Sequence, residues 1–254
     1  KSSSPYGFIT ICSTLAWGLG YFGMPHVLLR FMATKDESKL KTSRRIASIW
    51  ALISMAVAIV IGVVGLGMSK VGAIDTLVGN DSETVIVRIS SLLSSHGIFP
   101  AFVAGIILAG IMAATMSTSD SQLLAASSSV SQNLLKDFLH INVSQKMSVV
   151  IARVTVVVIA IIGVFIARNP DSSVFGIVSF AWAGFGACFG PVVLLALFWK
   201  RSNKWGALAS MIVGGAVVFI WKYAVRPIGG AWNIYELLPA FLAALFVNII
   251  VCLL

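Results

Sequence analysis

Seven apolar runs, near residues 6–32, 46–68, 98–134, 147–167, 173–199, 205–225 and 236–254, leave this chain few ways to fold. A helix crosses the hydrocarbon core of a bilayer with about 20 apolar residues. In lipid only helices and closed barrels satisfy every backbone N–H and C=O. The runs lack the alternation of barrel strands, so the sequence predicts an all-α, multi-pass integral membrane bundle with the lipid bilayer as its solvent. Composition agrees. Charged residues make up 11% of the chain and the mean hydropathy is +0.98, against about a quarter charged in a soluble domain.

The net charge of +9 would suit a nucleic-acid binder. Here the basic residues sit in short loops between apolar spans, which is a topology signal rather than a binding face, and nucleic acid is excluded as a partner. Arg30, Lys35, Lys39, Lys41, Arg44, Arg45, Lys136, Lys146, Lys200, Arg201 and Lys204 fall on one side. Lys70, Arg88, Arg168, Lys222 and Arg226 fall on the other. The positive-inside rule places the first group in the cytoplasm, so the first span runs from outside to inside.

Cys12, Cys188 and Cys252 lie in apolar segments without metal-ligand spacing and read as small buried hydrophobes. No nucleophile–base pair, metal cluster or phosphate-binding loop stands out, so an enzyme is not expected. The chain opens at Lys1 and stops at Leu254 within an apolar run, which predicts a piece of a longer protein.

In the long outer loop, 69–97, "DSETVIVRISSLL" (81–93) pairs an Asp/Ser start with apolar residues at helical spacing. It predicts a short amphipathic helix with a side-chain N-cap. Two roles stand: a lid, or a surface helix without a gating part.

Two spans depart from plain apolar helix. In "WGLGYFGMPHVLLRF" (17–31), three glycines and a proline fall within eight residues. Proline removes a backbone donor and glycine lowers the cost of non-helical backbone. An interrupted helix frees backbone groups, tolerable in a membrane only against protein or a water-filled cavity. Transporters build substrate sites this way, although Gly and Pro are also common in ordinary membrane helices. Trp17, Tyr21 and Pro25 recur at i, i+4 and i+8, one face of a continuous helix. Their rings suit either a pocket for a small zwitterion or interfacial packing. His26 reads as a side chain satisfied near the break, and Arg153 as one snorkelling to the inner surface.

The second departure is "AATMSTSDSQLLAASSS" (113–129). Ala114, Ser117, Thr118 and Ser121 form one stripe at i, i+3, i+4 and i+7. Hydroxyls and a backbone carbonyl can hold a hard cation, and neutral oxygens suit a monovalent ion better than Ca²⁺. Small hydroxylated residues are equally the material of close helix packing in membranes. Asp120 lies off that stripe, about 33 Å along a helix starting at Ile98, towards the cytoplasmic boundary. It reads as a solvated carboxylate or, with Ser121, as a contact on an ion path.

Together, "WGLGYFGMPHVLLRFMA" (17–33), "AATMSTSDSQLLAASSSVSQNL" (113–134) and "GPVVLLALFWKRSNKWGALASMIVGG" (190–215) resemble the solute:sodium symporter family, and within it the sodium/proline symporters. The resemblance implies a LeuT-type fold of two inverted five-helix repeats with sites at mid-membrane. Residues 1–199 would be the second repeat, 200–254 two peripheral helices, and the first repeat would lie in the N-terminal half missing from this chain. It implies that Trp17, Tyr21 and Pro25 bind L-proline, and that the Ala114 carbonyl, Ser117 and Thr118 bind a sodium ion completed by the missing half. A multi-pass protein of the bacterial inner membrane is then expected, driving proline uptake with sodium. The alternatives are another small solute, or the membrane module of a sensor protein.

Overall fold

The computed structural model describes residues 7–141, 143–168 and 173–254; Lys1 and Tyr6, where the first expected span begins, lie outside them. Among the described residues every regular element is helical. The α-helices are α1 (Phe8–Gly20), α2 (Pro25–Met32), α3 (Ser38–Lys70), α4 (Val85–Ser94), α5 (Ile98–Ser128), α6 (Gln145–Ala167), α7 (Val174–Phe198), α8 (Lys204–Ile220) and α9 (Leu237–Leu253). Five helical segments, beginning at Ser38, Ile98, Gln145, Val174 and Lys204, are long and apolar enough to cross a membrane. The first expected span is interrupted, and the last, α9, is a shorter apolar helix of 17 residues. Compactness divides the chain into two units, Lys1–Ala33 with Phe175–Leu254, and Thr34–Val174. That is a different property from the expected division by repeat at residue 199.

In the unit Thr34–Val174, α4 lies against α3, with Val85 over Gly65. α5 continues as a π-helical segment, Ser129–Phe138, and Gln132 Nε2 donates to Ser148 Oγ of α6 at 3.1 Å. The outward faces of α3, α5 and α6 are apolar and exposed, as lipid-facing or partner-facing helices require. The amphipathic helix predicted over 81–93 forms as α4, without the predicted side-chain cap. A 3₁₀ segment, Gly79–Thr84, precedes it instead. There Ser82 and Thr84 donate to the carbonyls of Gly79 (2.6 Å) and Asp81 (2.7 Å), so the local turn uses those hydroxyls. Glu83 accepts from Ser173 Oγ at 2.6 Å and from the Val174 amide at 3.0 Å, tying this loop to the unit's C-terminal end.

The other unit is held by small residues. Ala183 and Ala187 of α7 and Ala240 and Ala244 of α9 are fully buried. In lipid the drive for such packing is close backbone approach rather than burial from water. Asn203 caps α8, accepting from the Trp205 and Gly206 amides at 3.0 and 2.9 Å. α1 meets α7 through Gly20 and Gly186; a Cβ on Gly20 would run into the Trp182 indole, and one on Gly186 would stand 2.7 Å from the Gly20 Cα. A Cβ on Gly18, by contrast, would meet nothing within 4 Å.

Gly20→Ala should therefore destabilise by about 1–3 kcal/mol through overpacking, whereas Gly18→Ala should be neutral or slightly stabilising through helix propensity. Thermal unfolding midpoints of the full-length protein in detergent check the pair; equal midpoints would refute the close approach.

Candidate functional site

The Gly/Pro cluster interrupts the first apolar run. α1 ends at Gly20, Tyr21–Gly23 form a 3₁₀ turn, Met24 is extended (φ −80°, ψ 113°) and Pro25 opens α2. The residue before a proline is driven out of the helical region, and proline is at home in a first helical turn. Pro25 lacks an N–H, so the Tyr21 carbonyl has no i+4 donor. The Met24 carbonyl accepts from the Val27 and Leu28 amides at 3.1 and 3.0 Å, starting the new helix. The Tyr21 amide donates to the Leu19 carbonyl. The Trp17 carbonyl accepts from the Trp182 indole Nε1 at 3.0 Å.

Aromatic rings gather on the α1 side of the break. The half-buried Trp17 ring lies nearly parallel to Phe175, Trp182 and Tyr235, with centroids 5.3, 5.7 and 5.7 Å away. Tyr21 is 53% exposed and meets Trp182 edge-on at 4.7 Å. Both predicted aromatics thus share Trp182 as a neighbour. Pro25, exposed, stands beyond the break. The single face expected for Trp17, Tyr21 and Pro25 belongs to a continuous helix, and the turn at Tyr21–Met24 interrupts it. Trp182 and Tyr235 were invisible to that sequence reading. The one local signal was a tryptophan among small residues, "FAWAGFG" (180–186).

The second group stands in the other unit. α5 runs unbroken through the hydroxyl-rich stretch, and Ala114, Ser117 and Thr118 are exposed. Thr118 Oγ1 donates to the Ala114 carbonyl at 3.1 Å, and the part-exposed Ser121 donates to the Ser117 carbonyl at 3.0 Å. The two oxygens of the first pair are close enough to face one cation once the hydroxyl hydrogen rotates away. No group of three His, Cys, Asp or Glu side chains that could hold a metal occurs among the described residues. The donors this stripe offers are neutral oxygens, the set that suits a monovalent ion. Asp120 is exposed, and helical backbone continues past it through Phe138. Its distance from Ile98 therefore does not place it at a helix end.

Comparison with known proteins places the chain among membrane transporters. The family model "Sodium:solute symporter family" matches residues 5–214. The osmoregulated proline transporter OpuE of Bacillus subtilis is 41% identical over 243 residues, 96% of this chain and 47% of the relative. The sodium/proline symporter of Salmonella typhimurium is 41% identical over 236 residues, 92% of this chain and 45% of the relative. That of Haemophilus influenzae is 41% identical over 254 residues, 100% of this chain and 49% of the relative. The chain spans about half the length of the curated relatives it matches. No solved structure matches it at a significant level.

Trp182→Phe keeps a ring beside Trp17 and Tyr21 but leaves the Trp17 carbonyl without its indole donor. The expected loss is about 1 kcal/mol, read as a lower unfolding midpoint of the full-length protein in detergent. An unchanged midpoint would remove the indole from the support of the break.

Proposed function

The chain belongs to the sodium:solute symporter family, and from that premise we propose that the complete protein couples sodium entry to uptake of L-proline. The observation that carries this reading is the interruption of an apolar helix at Met24 with aromatic rings beside it. A multi-pass membrane protein gains nothing in stability from such a break, and transporters use one to expose backbone groups to a solute. The proline named for its relatives is a small zwitterion with an apolar ring, which aromatic side chains suit on one face.

In this reading the chain supplies the second five-helix repeat of a LeuT-type fold and two peripheral helices. Trp17, Tyr21 and Pro25 form one wall of the solute site. The Ala114 carbonyl, Ser117 and Thr118 form one wall of the sodium site, and the remaining ligands come from the half of the protein outside this chain. Ser121 and Asp120 lie along the exit path of the ion. Sodium binding favours the state that accepts solute, so each ligand tightens the other by the same factor. The break at Met24 serves as the hinge between outward-open and inward-open states.

Radiolabelled L-proline uptake by the full-length protein in proteoliposomes tests this directly. Accumulation should require an inward sodium gradient. Accumulation of a different solute with sodium would overturn the substrate alone, and absence of any sodium-dependent uptake by folded protein would overturn the symporter. Ser117→Ala and Thr118→Ala should each raise the sodium concentration for half-maximal uptake, by about tenfold for an interaction of about 1.4 kcal/mol. Unchanged sodium dependence in both would refute the site.

A further inference from the structure

The connection between α8 and α9 buries a carboxylate. Glu236 has 0% exposure, immediately before α9. Arg226 Nη1 lies 2.8 Å from its Oε2 and Lys222 Nζ 3.7 Å from its Oε1. Arg226 Nε also donates to Asn233 Oδ1 at 3.1 Å, and the Trp221 indole donates to the Ile234 carbonyl at 3.2 Å. Lys222 sits over the Phe180 ring, 4.2 Å from its centre. Buried ion pairs are weak contributors to stability, and apolar replacements of similar volume often do as well; what they can supply is a single geometry.

Tyr235 directly precedes Glu236 in the chain. Its amide donates to Ser13 Oγ of α1 at 3.0 Å. Its phenol donates to the Ser179 carbonyl of α7 at 2.6 Å. Burial raises the phenol pKa further above its ordinary value, so it stays a donor. Its ring lies 5.7 Å from Trp17, at an interplanar angle of 18°. One side chain thus ties the α8–α9 connection to α7 and to the broken helix, one turn before the break.

We infer that Tyr235, seated by the Glu236–Arg226–Lys222 cluster, is a positioning residue that holds Trp17 in its solute-binding orientation. The two C-terminal helices then set solute affinity without touching the solute. This rests on the transport reading above, in which Trp17 lines the solute site.

The test uses the full-length protein in proteoliposomes. Tyr235→Ala should raise the half-saturating L-proline concentration roughly two- to tenfold, the factor an aromatic pair provides. Maximal rate per folded transporter and the sodium dependence should stay near wild type. Tyr235→Phe keeps the ring and should give a smaller rise, and it also serves if the alanine variant folds poorly. A second arm uses no solute. A cysteine introduced by Ala16→Cys, at a position buried in the same cluster as Tyr235, with all other cysteines replaced, should react with a maleimide several-fold faster when Tyr235→Ala is added. An unchanged half-saturating concentration in both Tyr235 variants, or an unchanged labelling rate, would overturn the proposal. If folded wild-type protein shows no sodium-dependent uptake of any solute, the transport reading falls, while the labelling arm still decides whether Tyr235 positions this part of α1.

Discussion

Every backbone N–H and C=O that enters hydrocarbon needs a partner inside the protein. That constraint forces the apolar runs into helices and turns any interruption into a place where groups must be satisfied by something else. At Met24 the start of α2 satisfies one carbonyl from below, through Val27 and Leu28. The Trp17 carbonyl is satisfied by Trp182, 165 residues away in sequence. The break is thus a joint between α1 and α7 as much as a kink in one helix.

Small residues make that joint possible. Gly20 against Gly186 brings α1 and α7 close together, and beside that approach the Trp182 indole meets the Trp17 carbonyl. The same close contact fills the space around Trp17 with rings. Trp17 is therefore supported by its neighbours, while Tyr21, half exposed, is the freer of the two aromatics. In the proposed site such support matters, since a side chain locked by its neighbours loses little freedom on binding.

The hydroxyl stripe works differently. Its hydrogens rest on carbonyls of its own helix, Thr118 on Ala114 and Ser121 on Ser117. In each of these pairs, rotation about a single bond turns an internal contact into oxygen offered outward. A helix carrying such a stripe keeps its backbone bonds when those hydroxyls turn outward, as the proposed sodium site requires.

The sequence by itself determined the helical bundle, the position of the break and the stripe on α5. Each rests on local physics: span length, the special backbones of Gly and Pro, and a period of 3.6 residues. It also located α4, but not how that helix begins, because a 3₁₀ turn and a capped α-helix use the same hydroxyls and differ by little energy. Only the tertiary structure decided which side chains surround Trp17. Trp182 and Tyr235 meet Trp17 across helix contacts that no local spacing encodes. Glu236 stands in sequence as the first residue of the last apolar run and becomes an anchor only when Lys222 and Arg226 fold back over it. Such partners are set by how helices pack, and packing depends on shape complementarity between segments far apart in the chain.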